Sequence, residues 1–155
     1  MKAVIQRVKK ANVKIDNKVI SEIGKGLLVL LAVHQDDKAE MIKKIAEKVI
    51  NLRIFSDEDG KMNLSVKDVQ GEILIVSQFT LYGDCSKGSR PSFIESANPK
   101  KAILFYEKFV KYIKEQGIKV ETGEFGVIMK VELVNDGPVT IILDLPASTC
   151  QRRGE

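Results

Sequence analysis

One histidine, His34, and two cysteines, Cys85 and Cys150, are all the imidazole and thiol that 155 residues offer. No CxxC spacing joins the cysteines, and a single imidazole cannot complete a cysteine-histidine cage, so no metal site is assembled from this inventory. So few thiols fit a reduced, intracellular protein that folds without staples. There is no GxxxxGK[ST] loop and no GxGxxG after a strand, which leaves nucleotide hydrolysis and dinucleotide binding without a phosphate cradle. The N-terminus MKAVIQRVKKANVKI is broken by basic residues where a signal peptide needs a continuous apolar stretch. No run approaches the ~20 apolar residues of a membrane span. The expected compartment is the cytoplasm, with no membrane partner. Repeats, low-complexity tracts and linkers are absent too, so residues 1–155 are expected to form a single domain. A chain of this length buries about 68–70% of its unfolded surface.

What is present is a modestly basic chain, with formal net charge +4 and a pI near 9.0. That balance is compatible with a polyanionic partner, but lysines also serve as solubilising surface, so charge does not decide the matter.

MKAVIQRV and ANVKI read as strands, Asp16-Asn17 as a turn into the strand KVISEI, and LLVLLAV as a buried strand after Gly24-Lys25-Gly26. Asp36 or Asp37 can cap a helix, with Glu40 three residues after Asp37 as in a capping box. Ala39, Ile42, Ile45, Ala46, Val49 and Ile50 make its apolar face. LRIF is followed by a turn, SDEDGK, and then by GEILIVSQ, whose near-continuous apolar character predicts a central strand. A second helix starts at Asn98 (N-cap) and Pro99 (first position), buries Ala102, Phe105, Tyr106, Phe109, Tyr112 and Ile113, and stops at Gly117. Two further strands, VIMKVELV and VTIILDL, flank NDGPVT. Asp-Gly between apolar runs is a hairpin signal, but Pro138 lacks the N–H that the returning strand should donate. The expected architecture is mixed α/β, of order β-β-β-α-β-β-α-β-β: a curled, barrel-like sheet system with two main helices packed on one side.

Few side chains announce chemistry. His34, at the end of LLVLLAV, is a candidate base, but without a serine or cysteine nucleophile motif it reads better as a polar residue at a strand-to-helix junction. Asp57, Glu58 and Asp59 lack calcium-loop spacing and read as a solvated turn. Cys85 has no visible base and reads as a bystander thiol. The basic stretch Arg7 to Lys14 serves equally as a solvated strand face or a phosphate-contacting one. SQFTLYGD, residues 77–84, turns abruptly from buried strand to hydroxyl and amide. That is raw material for an oxyanion site, or merely a strand emerging into solvent.

SQFT followed by a loop with RPSF, together with LRIFSDEDGKMN, QRVKKANV and FGVIMKVELVNDGPVT, resembles the D-aminoacyl-tRNA deacylases, the D-tyrosyl-tRNA deacylase family, from Met1 to about Leu145. The resemblance implies a cytoplasmic homodimer that hydrolyses the ester between a D-amino acid and the terminal adenosine of tRNA, without cofactor or metal. It implies that Ser77, Gln78, Phe79 and Thr80 form the catalytic segment and that Phe125 and Met129 help hold the adenine. Gly137-Pro138 would be a cis peptide reaching into the partner's pocket to exclude L-amino acids, with Arg7 supporting its loop. Glycine, having no side chain to exclude, is expected to be removed as well, as from mischarged glycyl-tRNA. Val127 stands where alanine is usual in that family; it either trims the pocket or is a conservative strand substitution. The competing readings are a module that binds tRNA ends without cleaving them and a D-amino-acid esterase or amidase that needs no RNA.

Overall fold

The computed structural model describes residues 1–147, so Cys150 lies outside the described residues. In chain order the elements are β1 (Lys2–Ile15), β2 (Lys18–Ile23), β3 (Gly26–Ala32), α1 (Glu40–Asn51), β4 (Phe55–Ser56), β5 (Met62–Leu64) and β6 (Glu72–Ser77). There follow a 3-10 turn (Phe79–Tyr82), α2 (Pro99–Glu115), β7 (Val120–Thr122) and β8 (Lys130–Asp144). The main sheet runs β2-β1-β3-β6-β7, with β8 on the other edge of β1. It curls until β2 approaches β6 and β7, giving the expected barrel-like, mixed α/β system.

β1 is one strand where its sequence reads as two. No turn residue interrupts it; instead one extra residue is absorbed between Val8 and Lys10, where the pairing with β8 slips. A slip of one residue exchanges the faces of a strand. Ala3 and Ile5 accordingly face the helices, whereas Val8, Ala11 and Val13 face the barrel interior. Asp16 and Asn17, both left-handed with φ of 48° and 63°, turn the chain into β2, as expected from residues that tolerate that region. β2 and then β3 pair antiparallel along the same edge of β1. β6 lies parallel to β3, and its residues are buried on both faces: Ile73 and Ile75 towards the helices, Leu74 and Val76 towards the interior. Gly26 is required here, because a Cβ would lie 1.8 Å from the carbonyl oxygen of Glu72.

α2 begins as its sequence predicts. The Asn98 side chain accepts a hydrogen bond from the Lys101 N–H at 3.0 Å, Pro99 takes the first position, and Gly117 is left-handed beyond the end. α1 departs from expectation. It starts one turn's edge later, with Ala39 exposed at the N-cap and Met41 inside instead. Asp37 caps nothing: it is buried, its Oδ1 accepting from the Met1 ammonium at 2.8 Å and its Oδ2 from the His34 N–H at 2.7 Å. A buried charge needs a partner more than a helix end needs a cap. SDEDGK does turn, around Asp57, which accepts from the N–H groups of Asp59 and Lys61 and from the Asn63 amide. Those bonds, the Asn63 amide foremost, hold its carboxyl below the usual range. The turn joins β4 to β5, a short strand the sequence reading lacked.

The largest correction concerns NDGPVT. No hairpin forms there: β8 is a single strand of 15 residues through it, antiparallel to β1 on both sides. VIMKV enters the strand only at Lys130. Between the pairs Val8–Asn135 and Gln6–Thr140 the chain takes five steps along β8 for two along β1, so Asp136 to Val139 stand out as a wide bulge. Two strands do follow α2, but β7, at VET, was unread, and the two expected flanks of NDGPVT are one element.

Candidate active site

Because β3 and β6 are parallel, they end together, Leu31 beside Ser77. The Gln78 N–H extends the ladder by one bond to the Leu31 carbonyl, 2.8 Å, and the chain then winds into the 3-10 turn. At that strand end a pocket of about 760 Å³ opens between the turn, the start of α2 and the segment 125–129. Val76 and Ser77 form its floor, Phe79 and Phe93 one wall, Ala102 the α2 side, and Phe125 to Met129 the far wall. The Phe79 and Phe93 rings meet edge to face at 5.1 Å, and the Ser96 hydroxyl donates to the Phe79 carbonyl at 3.1 Å. Phe125 rests on Tyr106, rings 6.2 Å apart, while the Tyr106 hydroxyl donates to the Ile75 carbonyl at 2.8 Å. Burial pushes that phenol's pKa up, so it stays a neutral donor. The Met129 sulfur accepts from the Glu124 N–H, which pins the 125–129 segment.

None of the described side chains lining the pocket is ionisable. Of the residues singled out from sequence, Ser77, Gln78, Phe79, Phe125, Met129 and Val127 do line it. Val127 lies in a loop, so strand propensity has no bearing on it. Thr80 is beside the pocket, exposed, its hydroxyl accepting from the Gln78 amide. Phe79 and Thr80 open the 3-10 turn, where leading N–H groups have no partner within the turn. The turn therefore offers two backbone donors beside an apolar cavity.

His34 is not brought to this pocket. It borders a separate cavity of about 370 Å³ with Lys2 and Tyr82, its Nδ1 accepting from the Asp36 N–H at 3.1 Å. Cys85 is exposed on the loop that follows the turn.

Arg7, Gly137 and Pro138 are also elsewhere. Arg7 pairs with Leu27, at the start of β3, whereas the pocket begins at Ala32. That is about 17 Å along the strand at ~3.3 Å per residue. Arg7 donates from Nε to the Asp136 carbonyl at 2.7 Å and from Nη1 to the Ile54 carbonyl at 2.6 Å. Asn135 closes the bulge from inside: its Oδ1 accepts from the Val139 N–H at 2.7 Å and its amide donates to the Val139 carbonyl at 3.1 Å. The Gly137-Pro138 bond is cis, as the family resemblance implies, and both residues are exposed. Sequence reasoning did not single out Phe93 and Ser96 as pocket residues. Phe93 was signalled only as the last residue of the RPSF motif, and Ser96 by nothing.

A curled mixed α/β domain with the leading N–H groups of a 3-10 turn at a strand end, beside an apolar pocket with no acid or base among its described lining residues, has the groups needed by a class of protein that holds and polarises an acyl group. The comparison with known proteins narrows the class. The family described as D-Tyr-tRNA(Tyr) deacylase matches residues 4–144, and the chain belongs to it. The chain is 63% identical over 144 residues to the D-aminoacyl-tRNA deacylase of Thermosipho africanus, covering 93% of this chain and 97% of that one. It is 58% identical to that of Dictyoglomus turgidum, covering 93% and 92%. A solved structure described as c-Myc DNA Unwinding Element Binding Protein superposes with TM-score 0.89 at 41% identity, covering 94% of this chain and 99% of that one. A probable eukaryotic D-amino acid tRNA deacylase shares the fold, with TM-score 0.81 at 18% identity over 93% and 98%.

Proposed function

We propose that the pocket at the end of β6 hydrolyses the ester of D-aminoacyl-tRNA, releasing tRNA and the D-amino acid, and that it also clears glycine from mischarged tRNA. As a family member the chain is a hydrolase with aminoacyl-tRNA as substrate, which makes tRNA a partner; the cytoplasm as its place of work is part of the proposal. The observation that carries the reading is the pairing of Ser77, Gln78 and Phe79 with Phe125 and Met129 around one apolar cavity. In this reading the aminoacyl ester lies over Ser77 and Gln78 and the terminal adenine against Phe125 and Met129.

Ester hydrolysis needs oxyanion stabilisation and a route for a proton. The N–H groups of Phe79 and Thr80 supply the first, a contribution of about 3–4 kcal/mol for each well-placed donor. The second has no candidate among the described side chains: the lining is not ionisable, His34 borders another cavity, and the Thr80 hydroxyl accepts from Gln78. The substrate's own ribose 2′-OH is then the group that assists proton transfer, with Thr80 orienting the carbonyl or the water.

Selectivity comes from the partner. Rejecting L-aminoacyl-tRNA by ~10⁴ takes about 5.5 kcal/mol, more than a pocket gains from one methylene, so something must obstruct the L side chain. The carbonyls of the exposed residues Gly137 and Pro138 suit that role, yet they stand at the far end of β3 from their own pocket. A second copy in a homodimer can insert its bulge where this chain cannot. Glycine presents nothing to obstruct.

Purified protein incubated with D-tyrosyl-tRNA, L-tyrosyl-tRNA, glycyl-tRNA and D-tyrosine methyl ester tests the proposal. Release is expected from the first and third. Cleavage of the methyl ester at the rate of the tRNA ester would make the protein an RNA-independent esterase. Binding without release from D-tyrosyl-tRNA would make it a passive holder of tRNA ends.

A further inference from the structure

The loop that leaves the 3-10 turn, GDCSKGSRPS over residues 83–92, is not accounted for by the pocket. Its base is tightly held: Asp84 and Ser92 exchange backbone hydrogen bonds of 2.8 and 2.9 Å. Gly83 packs so closely that a Cβ would lie 3.0 Å from the Thr80 carbonyl oxygen and 3.1 Å from the Phe93 ring. Both roots are pocket wall, since Phe79 and Phe93 close on each other there. Beyond the base every residue from Cys85 to Pro91 is exposed, with Gly88 at φ 149° in open space. The tip carries Lys87 and Arg90, and neither has an ion-pair partner among the described residues. The one carboxylate of the loop, Asp84, is turned to its own backbone, accepting from the Ser86 N–H at 2.9 Å.

A loop fixed at its base beside the pocket wall, with two cations that have no ion-pair partner among the described residues, has no evident use for an aminoacyl group. It suits the polyanionic chain to which that group is attached. We propose that Lys87 and Arg90 grip phosphates of the single-stranded 3′ end of tRNA, holding the strand while its terminal nucleoside enters the pocket. The proposal deepens the deacylase reading and rests on it. Arg offers a fork to phosphate and Lys a point charge, and such contacts position a strand without reading its sequence. Each single-strand phosphate neutralised contributes roughly 0.7 to the slope of log affinity against log salt.

The experiment compares the wild-type protein with a Lys87→Ala/Arg90→Ala double variant on two substrates, D-tyrosyl-tRNA and the truncated ester D-tyrosyl-adenosine, and on uncharged tRNA as a binding probe. In the double variant KM for the tRNA ester is expected to rise about 10-fold at low salt. The salt slope for uncharged tRNA is expected to shrink by roughly 1.4. Cleavage of D-tyrosyl-adenosine should be unchanged. An unchanged KM and slope would overturn the assignment. So would a parallel loss on both substrates, which would mark the loop as part of the pocket wall, or a changed sedimentation coefficient, which would mark it as a subunit contact. A wild-type protein that cleaves neither ester refutes the deacylase reading instead, and the salt slope with uncharged tRNA still decides the loop.

Discussion

At the scale of single residues the site is notable for what it does without. Gln78 donates to the Thr80 hydroxyl, which keeps its own proton to give, and in the proposed mechanism that oxygen orients the carbonyl or the water. A threonine without an adjacent base is a weak nucleophile. Thr80→Ala is therefore expected to keep measurable deacylation of D-tyrosyl-tRNA, with a loss of about 10-fold, whereas replacing the terminal 2′-OH by hydrogen should cost 10²-fold or more, in line with general acid-base contributions. Single-turnover rates on the two variants check this, and the opposite ranking would restore Thr80 as nucleophile. Residue chemistry of this kind was only partly legible in the sequence. SQFT and NDGPVT stood out by resemblance, and the structure places Ser77, Gln78 and Phe79 in one pocket with Phe125 and Met129. Asp37 was misread as a helix cap because its true partner, the Met1 ammonium, lies 36 residues away. Local pattern rules see neighbours along the chain, and buried ion pairs answer to neighbours in space.

At the scale of elements, periodicity worked where one element has one environment. α2 with its Asn98 cap and β6 with its unbroken apolar run were read correctly. It failed where a strand changes face or spacing part-way. In β1 the extra residue between Val8 and Lys10 swaps the buried parity, which reads as two strands. In β8 the residues Asp136 to Val139 form a bulge with hairpin composition, since Asp, Gly and Pro suit either device. The bulge keeps its shape by specific means. Gly137 has φ 154°, where a Cβ would lie 2.7 Å from the Val139 nitrogen and 3.3 Å from the Arg7 guanidinium. Gly137→Ala is expected to destabilise the protein by about 1–3 kcal/mol, the usual cost of forcing a side chain into such a region, and to lower the D/L rate ratio. Denaturant unfolding and paired deacylation assays measure the two effects. A Gly137→Ala chain with wild-type stability and selectivity would show that the bulge tolerates a side chain and filters nothing.

At the scale of the whole molecule, β8 poses the remaining question. It pairs with β1 along one edge, and no described strand covers the other, over 15 residues. Ile142 and Val134, at 70% and 42% exposed, add apolar surface to that edge. Long uncovered edges invite pairing with another chain, and a symmetric dimer uses the same patch twice. The proposed filter requires a dimer that brings each Gly137-Pro138 bulge to its partner's pocket. Mixing two defective chains separates this arrangement from a filter that acts within one chain. Ala102→Trp fills the pocket from the α2 side but keeps the bulge; Arg7→Gln loses the bonds to the Asp136 and Ile54 carbonyls but keeps the pocket. Alone, the first should be inactive and the second should cleave L-tyrosyl-tRNA as well as D-tyrosyl-tRNA. In a heterodimer the open pocket of the Arg7→Gln chain would receive the intact bulge of the Ala102→Trp chain. Co-refolding with excess Ala102→Trp chain should therefore suppress L-tyrosyl-tRNA cleavage per open pocket by at least ~10-fold while D-tyrosyl-tRNA cleavage persists, the ratio expected if the intact bulge restores about 1.4 kcal/mol of discrimination. If L cleavage per open pocket stays constant across mixing ratios, the bulge filters only its own chain, and the separation along β3 would have to be closed by a rearrangement of the monomer.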